Sequence, residues 1–499
     1  MIKGGSNIAE LEDIRFNRQF LLCDREIGIW SNWRITSIDE QLFLHTHPNL
    51  EISQVQTDER RLTLVGYLFD PKLPHATNVE LLNNLIGNSS FEDVIKGTFR
   101  LAGKFVLIYW DRKTFRMLHD PAGLREVFYL KGQSNTFCAS QPTLFNEYQT
   151  LAKVNESKAF EFYSSSVFQD RKERIGETTQ YEGLFHLQPN HYLDLKTGEA
   201  HRYFPSEPLK RLALEVAVDQ AAEILKGILA AAATRYKLMI AVTAGMDSRL
   251  MLAASKSIRQ EVFYFILETQ SLTKDSLDIT TPEKLLAKMG IPFHVLSKSD
   301  KVEEGVKKQM LKNVELMLQR HIDFWYNVFY KKKGYMNITS VSEFARNYYH
   351  YEANPNKVTG EGLAALNKYK GNDFVEQVYS DWLAASRKIF QSNGYNTLDM
   401  FYWEEKMGNW LANGRSSMGS VIEDFSPFNC RELMMIFLGV DEKYRGRYNS
   451  MFHRKVVEKL YPEALQEPIN GSRKYQIINA LVKFGIYPIY KKIQLLLKS

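Results

Sequence analysis

The sequence predicts an α/β protein built in two parts, on the basis of three observations along its 499 residues. Up to about residue 205, short segments such as RRLTLVGYLFD and GKFVLIYWD alternate apolar and polar residues between turn signals, as antiparallel strands do. After Pro205, strand and helix patterns alternate, which is typical of a parallel sheet with helical crossovers. From about residue 300, the chain is mainly helical in pattern and rich in aromatic residues.

The elements of the second part follow one another closely. LALEVAVDQAAEILKGILAAAATR predicts a long amphipathic helix, and the apolar run 237–242 predicts a buried strand. EVFYFIL and PFHVL predict two further strands. Between them TPEKLLAKMG predicts a helix, with Thr281 as its N-cap, Pro282 at its first position and Gly290 at its C-terminal end.

Length and composition exclude several classes of protein. A chain of 499 residues predicts two or three domains, and 44% hydrophobic with 24% charged residues is typical of a globular protein. The net charge of +6 gives no argument for nucleic acid, and three widely spaced cysteines suit a reducing compartment. Neither a secretory signal nor an apolar run of the ~20 residues of a membrane span is visible. We therefore expect a cytoplasmic protein with no nucleic-acid partner and no integral membrane segment.

The stretch TAGMDS, residues 243–248, interrupts an apolar strand and leads at once into a helix. Residues 243–245 are small enough for their backbone N–H groups to converge on an anion, and Asp247 and Ser248 can cap a helix beginning near Arg249. Helix N-termini at the carboxyl edge of a parallel sheet bind phosphate. The turn has neither the GxxxxGK[ST] nor the GxGxxG pattern, and an ordinary capped turn is an equal alternative from these residues alone.

Four stretches of the chain resemble the asparagine synthetase superfamily. TAGMDS is similar to the SGGxDS pyrophosphatase loop of N-type ATP pyrophosphatases, with Thr243 in place of serine and Ala244 in place of glycine. GTFRLAGKFVLIYWDRKTFRMLHDPAGLREVFYL resembles the sheet of class-II glutamine amidotransferase domains. YMNITSVSEFARNYYH resembles the second acidic motif of variant members, and GRSSMGSVIEDFSPFNCREL resembles the DRxSMxxxxExRxPFLD signature. The nearest variants are β-lactam synthetase and lasso-peptide cyclase.

This resemblance implies a fold and two domain ranges. Residues 1–205 would form a degenerate glutaminase-like domain, an Ntn-type αββα sandwich. Residues 206–499 would form an ATP pyrophosphatase domain of the adenine-nucleotide α-hydrolase type, with a parallel sheet and a largely helical C-terminal part.

The resemblance also implies that ATP binds with Mg²⁺ at the turn. The implied nucleotide-binding residues are Val242, Thr243, Ala244, Gly245, Met246, Asp247, Ser248 and Phe265. Asp247 would be a metal ligand. Because Ser342 replaces the first acid of the second motif, Glu343 is the remaining carboxylate there, as a second metal ligand or as the base that deprotonates an amine.

The expected catalytic residues are Glu343, Arg346 and Lys474, the last where relatives carry a transition-state lysine; Arg473 is its alternative. Structural alternatives accompany these assignments. Glu343 can form a salt bridge with Arg346 instead of acting on substrate. The side chains expected against adenine can instead belong to the core; they are Val242, Phe265 and Leu267.

The N-terminal part lacks the residues that a class-II glutaminase needs. Such enzymes use an N-terminal cysteine as nucleophile, whereas this sequence reads Met1-Ile2-Lys3 and its first cysteine is Cys23. The glutamine-holding NGEIYN is replaced by VGYLFDP, and the SDTE motif reads TNVE, with Asn78 for the aspartate. We therefore expect no glutaminase activity.

These observations favour an ATP-dependent, AMP-forming amide ligase. It would join the carboxylate of a substrate, such as a peptide or specialised metabolite, to an amine. A pathway partner protein is a possible further partner. A non-catalytic scaffold that kept the fold is the alternative, because Thr243, Ala244 and Ser342 depart from the motifs. A PP-loop RNA-modifying enzyme is disfavoured by the lack of a basic patch and of a role for the N-terminal part. The basic, apolar tail VKFGIYPIYKKIQLLLKS suits either a membrane surface or a helix docked on the core.

Overall fold

The computed structural model describes residues 8–28, 30–88, 90–132, 135–269, 272–297, 301–349, 352–448, 450–471, 473–487 and 489–490. Its N-terminal part contains two six-stranded antiparallel sheets with spatial orders β10-β8-β9-β1-β3-β2 and β12-β11-β7-β6-β5-β4. The elements of this part are α1 (Ile8–Ile14), β1 (Phe20–Cys23), β2 (Arg34–Ser37), β3 (Phe43–Thr46), β4 (Ile52–Gln56), β5 (Arg60–Phe69), α2 (Asn78–Ile86), α3 (Phe91–Thr98), β6 (Ala102–Asp111), β7 (Phe115–His119), β8 (Phe128–Lys131), β9 (Thr136–Ala139), α4 (Pro142–Tyr148), α5 (Lys158–Ser164), α6 (Ser166–Arg171), β10 (Leu184–His186), β11 (His191–Asp194) and β12 (Glu199–Arg202).

Three apolar layers hold these two sheets and their helices together. Alternate residues of β1 and β6, such as Leu22 and Val106, meet between the sheets. The opposite face of β6 packs on α2 and α3, through residues such as Leu107 and Leu82. The outer face of the first sheet packs on α4 and on an aromatic loop. The predicted αββα arrangement is therefore confirmed.

The second part is built on a five-stranded sheet with the order β15-β14-β13-β16-β17, in which every pairing is parallel. Its elements are α7 (Leu214–Arg235), β13 (Lys237–Ala241), α8 (Met246–Ala254), β14 (Phe263–Glu268), α9 (Leu277–Lys288), β15 (His294–Ser297), α10 (Glu304–Asn313), α11 (Ile322–Phe329), β16 (Tyr335–Ile338), α12 (Gly360–Leu366), α13 (Asp373–Ser392), α14 (Thr397–Phe401), a π-helix (Tyr402–Leu411), α15 (Ala412–Gly419), β17 (Glu423–Phe425), α16 (Arg431–Gly439), α17 (Met451–Leu460) and α18 (Arg473–Lys483).

Both faces of the parallel sheet are covered, as its near-continuous apolar strands require. Leu238 and Ile240 of β13 point to one face, where α7, α8 and α9 pack. Met239, between them, points to the other face, where α10 and α11 pack. The α/β fold class and the parallel sheet are thus confirmed, and no helix in the described ranges is long and apolar enough to cross a membrane.

Helix α9 begins earlier than the sequence pattern indicated. It starts at Leu277 after Ser276, so Thr281 is not its N-cap and Pro282 lies inside it. Ile279 is buried, which extends the apolar face of the helix one turn towards its N-terminus. The C-terminal prediction is right: Gly290 has a φ of +65°, and the Ile291 N–H closes the last turn on the Leu286 carbonyl at 2.9 Å.

A buried network of charges joins the two parts. Asp424 of β17 accepts from Lys104 Nζ at 2.7 Å, and Glu423 contacts Arg18 at 3.3 Å and Arg125 at 3.6 Å. These cations belong to the N-terminal part, and their side chains are at most 9% exposed. Because removal of one partner from a buried pair leaves an uncompensated charge, the network fixes the orientation of the N-terminal part on the edge of the parallel sheet.

Candidate nucleotide site

The sheet order predicts a crevice at the carboxyl end of β13. Crossovers from β13 lead to β14 on one side, whereas β16 pairs with it on the other side. In open parallel sheets, ligands bind where the strand order reverses in this way. Residues 242–248 follow β13 and residues 339–346 follow β16, so both predicted motifs reach this crevice.

The turn after β13 is held by its own hydroxyl groups and by one distant carboxylate. Thr243 N–H donates to Ser248 Oγ at 3.0 Å, and Gly245 N–H donates to Thr243 Oγ1 at 3.0 Å. Ala244 N–H donates to Asp278 Oδ1 of α9 at 3.1 Å. The expectation that these three N–H groups converge on an anion is therefore wrong, because each already has a partner.

Helix α8 begins at Met246, three residues before the predicted start, and Gly245 is its N-cap without a side-chain cap bond. Neither Asp247 nor Ser248 caps it, because the Ser248 hydroxyl is used within the turn and the Asp247 carboxylate turns towards the segment after β16. The N–H groups of a first helical turn have no intrahelical acceptor and lie at the positive end of the helix dipole. Residues 246–248 therefore offer the donors for a phosphate group.

The Asp247 carboxylate is the centre of the site. Its Oδ1 accepts hydrogen bonds from the Ser342 hydroxyl and from Arg346 Nη2, the latter at 2.5 Å. Arg346 thus pairs with Asp247, and the salt bridge expected as the alternative for Glu343 is not the one formed. Ser342 is fully buried, and its hydroxyl serves as a donor to Asp247.

Glu343 begins a 3₁₀ helix, Glu343–Arg346, beside Asp247. Burial, and next the negative charge of Asp247, raise the pKa of Glu343 to about 7, against the opposing charge of Arg346. Two carboxylates that repel one another suit a hard cation such as Mg²⁺, which prefers oxygen ligands. Among the described residues, no third acid, histidine or cysteine joins them, so phosphate oxygens and water would supply the other ligands.

The residues expected to contact adenine differ in how deeply they are buried. Val242 is 0% and Phe265 1% exposed, and both side chains are packed in the core. These two side chains therefore offer no surface to a ligand. Leu267 is half-buried, and Met246 packs partly buried on the core beside the turn.

One aromatic side chain, Tyr402, lies near Glu343, and others pack against it. Tyr402 lies close enough for the charge of Glu343 to raise its pKa further, although burial is the larger cause. Tyr348 contacts Tyr402, with ring centroids 4.9 Å apart, and the Arg447 guanidinium lies 3.8 Å from the centre of the Tyr348 ring. Tyr349 is buried in the core, so the segment after Arg346 contributes both core and site residues; its residues 350–351 lie outside the described ranges.

Sequence reasoning missed three residues of this site. Asp278 binds the turn, Arg249 of α8 donates to the Thr243 carbonyl, and Asn470 N–H donates to the Ala244 carbonyl at 2.9 Å. One signal was available, because Arg249 is a single charge in the otherwise apolar run RLMLAA. Lys474 belongs to α18, but its side chain lies outside the described part of the chain.

The side chain of Asn78, expected from the resemblance in place of a substrate-holding aspartate, is bonded to other protein groups. Asn78 Oδ1 accepts from Arg235 at 3.0 Å and from the Leu68 N–H, and its Nδ2 donates to Glu51 at 3.1 Å. Cys23 is buried, and burial raises the pKa of its thiol to about 11. Residues 1–7 lie outside the described ranges.

A cavity of about 940 Å³ lies away from this site, between α2 and α3 of the N-terminal part and α7 and α16 of the second part. None of its lining residues belongs to the turn 243–248 or to the segment 339–346. Its size therefore has no bearing on the chemistry at the crevice.

Comparison with known proteins gives no family for this chain and only distant structural likenesses. No protein-family model and no curated protein matches the chain. A solved structure of glutamine phosphoribosylpyrophosphate amidotransferase from B. subtilis, complexed with ADP and GMP, is 10% identical over 60% of this chain and 88% of that one, with a TM-score of 0.25. An allosteric regulatory enzyme of purine biosynthesis is 10% identical over 62% and 74%, with a TM-score of 0.24. A likeness this distant does not establish a shared family or activity.

Proposed function

We propose that the protein is an ATP-dependent, AMP-forming amide ligase that activates a substrate carboxylate and passes it to an amine. One observation carries the proposal. At the switch point of a parallel sheet, the N-terminus of α8 meets two carboxylates, Asp247 and Glu343, and the guanidinium of Arg346. This combination suits a triphosphate and the cation that accompanies it.

Each group has a distinct task in such a reaction. The N–H groups of residues 246–248 and the Arg346 guanidinium would hold phosphate oxygens, since Arg346 Nε is buried without a hydrogen-bond partner among the described residues. Asp247 and Glu343 would hold Mg²⁺, which neutralises phosphate charge when bound. Glu343, with its pKa of about 7, is also suited to take a proton from an amine at neutral pH.

The amine would come from a substrate and not from glutamine. Asn78 is fully bonded to Arg235, Glu51 and the backbone, so it has no free group for a substrate ammonium. Tyr348, which is partly exposed and packs on the buried Tyr402 near Glu343, favours a substrate with an apolar or aromatic body, such as a peptide or specialised metabolite.

A second candidate is a non-catalytic scaffold. Two observations favour it: Arg346 already neutralises Asp247, and the N–H groups of residues 243–245 are all occupied. Nucleotide binding would then require Arg346 to move from the carboxylate to a phosphate.

Equilibrium binding of ATP, with and without Mg²⁺, separates these candidates. The ligase requires binding that strengthens with Mg²⁺ and is lost in Asp247→Asn. Asp275→Asn, a substitution of an exposed aspartate before α9, is the control and should bind as wild type does. Wild-type protein that binds no ATP under either condition would favour the scaffold.

A further inference from the structure

Arg249 is a fully buried guanidinium whose described hydrogen bonds all go to backbone carbonyls. Its Nη1 donates to Ala464 at 2.6 Å and to Glu467 at 3.5 Å, and its Nη2 donates to Pro468 at 3.5 Å. Its Nε donates at 3.4 Å to the Thr243 carbonyl of the turn 243–248, the proposed nucleotide-binding turn (the nucleotide turn below). One side chain therefore joins the turn after β13 to the C-terminal segment 464–470.

The same segment touches the turn a second time. The Asn470 N–H donates to the Ala244 carbonyl at 2.9 Å. A Cβ built on Gly245 would lie 3.8 Å from Asn470 Oδ1, so the amide group of Asn470 lies beside the N-cap of α8. This is the helix end whose free N–H groups are the proposed phosphate donors.

The backbone of Asn470 is in the left-handed region, with a φ of +46°. Glycine adopts this conformation without a steric penalty, and Gly471 follows immediately, so the turn alone does not require a side chain at position 470. The amide of Asn470 offers both donors and an acceptor at the site.

We propose that Arg249 is a positioning residue that holds segment 464–470 on the nucleotide turn, and that the Asn470 amide contacts the bound phosphate chain. This inference rests on the proposed function for its ligand. The buried charge of Arg249 has a second effect, because no carboxylate hydrogen-bonds it among the described residues. A positive charge beneath the turn attracts phosphate.

Asn470→Gly tests the contact. The substitution removes the amide and relieves the left-handed conformation, so the melting temperature should stay at or above that of wild type. The KM for MgATP should rise about tenfold, the usual worth of one hydrogen bond to a charged group. Lys368→Gly is the matched control, since Lys368 is exposed, has a φ of +64° and belongs to the connection between α12 and α13. It should leave the KM unchanged. A wild-type KM in Asn470→Gly would overturn the contact.

Arg249→Lys tests the positioning role. Lysine keeps the charge, but one ammonium cannot reach four carbonyls on two segments. We expect backbone amide exchange in residues 464–470 to become at least tenfold faster without nucleotide, and the KM for MgATP to rise. Unchanged exchange in that segment would overturn the role of Arg249. The exchange measurement needs no ATP chemistry, so it decides the role of Arg249 even if the wild-type protein neither binds nor cleaves ATP. Absence of ATP binding and cleavage would itself refute the proposed function and the Asn470 contact together.

Discussion

Glutamine substitution of the two adjacent glutamates in the π-helix, Glu404 and Glu405, is expected to change the stability of the protein in opposite directions. Glu405 is buried, its Oε2 accepts from Gly176 N–H at 3.0 Å, and its Oε1 has no hydrogen-bond partner among the described residues. Burial raises the pKa of Glu405 from 4.5 to about 8. Because its carboxyl group is protonated more readily in the folded chain, its contribution to stability is complete below pH 4.5 and is lost as the pH rises towards 8.

The substitution Glu405→Gln removes this loss of stability at higher pH, because glutamine does not ionise. At pH 7, an unfolded glutamate is ionised while the folded one is mostly protonated, which costs the wild type about 3 kcal/mol. At pH 5 the same cost is about 1 kcal/mol. Glu405→Gln should therefore raise the urea midpoint over wild type by an amount that grows between pH 5 and pH 7.

Glu404→Gln is the matched control for this experiment. Burial alone raises the pKa of Glu404, but Arg202, bound through two nitrogens, outweighs it and holds the pKa below its usual value. Glu404→Gln should therefore destabilise the protein at pH 7 and less so in acid. If the advantage of Glu405→Gln were the same at pH 5 and pH 7, the burial argument for Glu405 would be refuted.

Three further predictions concern the site. Glu343→Gln should lower the rate of one half-reaction by on the order of 10²-fold. Loss of ATP–pyrophosphate exchange would identify Glu343 as a metal ligand, and loss of amide formation alone would identify it as the base. Wild-type rates in both half-reactions would make Glu343 a structural residue. Arg346→Met should lower exchange at least tenfold, because a charged hydrogen bond to the site is lost, with partial recovery in Arg346→Lys; an unaltered rate in Arg346→Met would exclude the role. Purified protein should release no glutamate from glutamine, because Asn78 is bonded to Arg235 and Glu51; release at enzymatic rates would contradict this expectation.

Periodicity and local signals were sufficient for the α/β class and the parallel sheet, whereas the αββα arrangement of the N-terminal part was expected from the resemblance. The alternation of apolar strands and helices after Pro205 predicted the parallel sheet. Gly290 was correctly predicted to end α9, and it has the left-handed φ that is common after a helix. The start of α9 was misplaced because Thr281-Pro282 gives a strong local start signal, while burial of Ile279 is a tertiary effect.

The site was only partly predictable. Asp247 and Glu343 were found because each lies in a short stretch that resembles a known motif, and the structure brings the two stretches together. Arg249 contacts a carbonyl 215 positions away, and no local pattern indicates such a contact. The partner of Arg346 was also missed, because Asp247 and the nearer Glu343 are equally plausible acids until the two strand ends are placed side by side.

The identity of the nucleotide products tests the central claim most directly. Wild-type protein would be incubated with MgATP, a panel of carboxylates and an amine, and AMP, ADP, phosphate and pyrophosphate would be measured together. The proposed ligase predicts AMP and pyrophosphate in equal amounts, dependent on a carboxylate and abolished by Asp247→Ala. ADP and phosphate as products, or equal AMP formation by the Asp247→Ala variant, would contradict it.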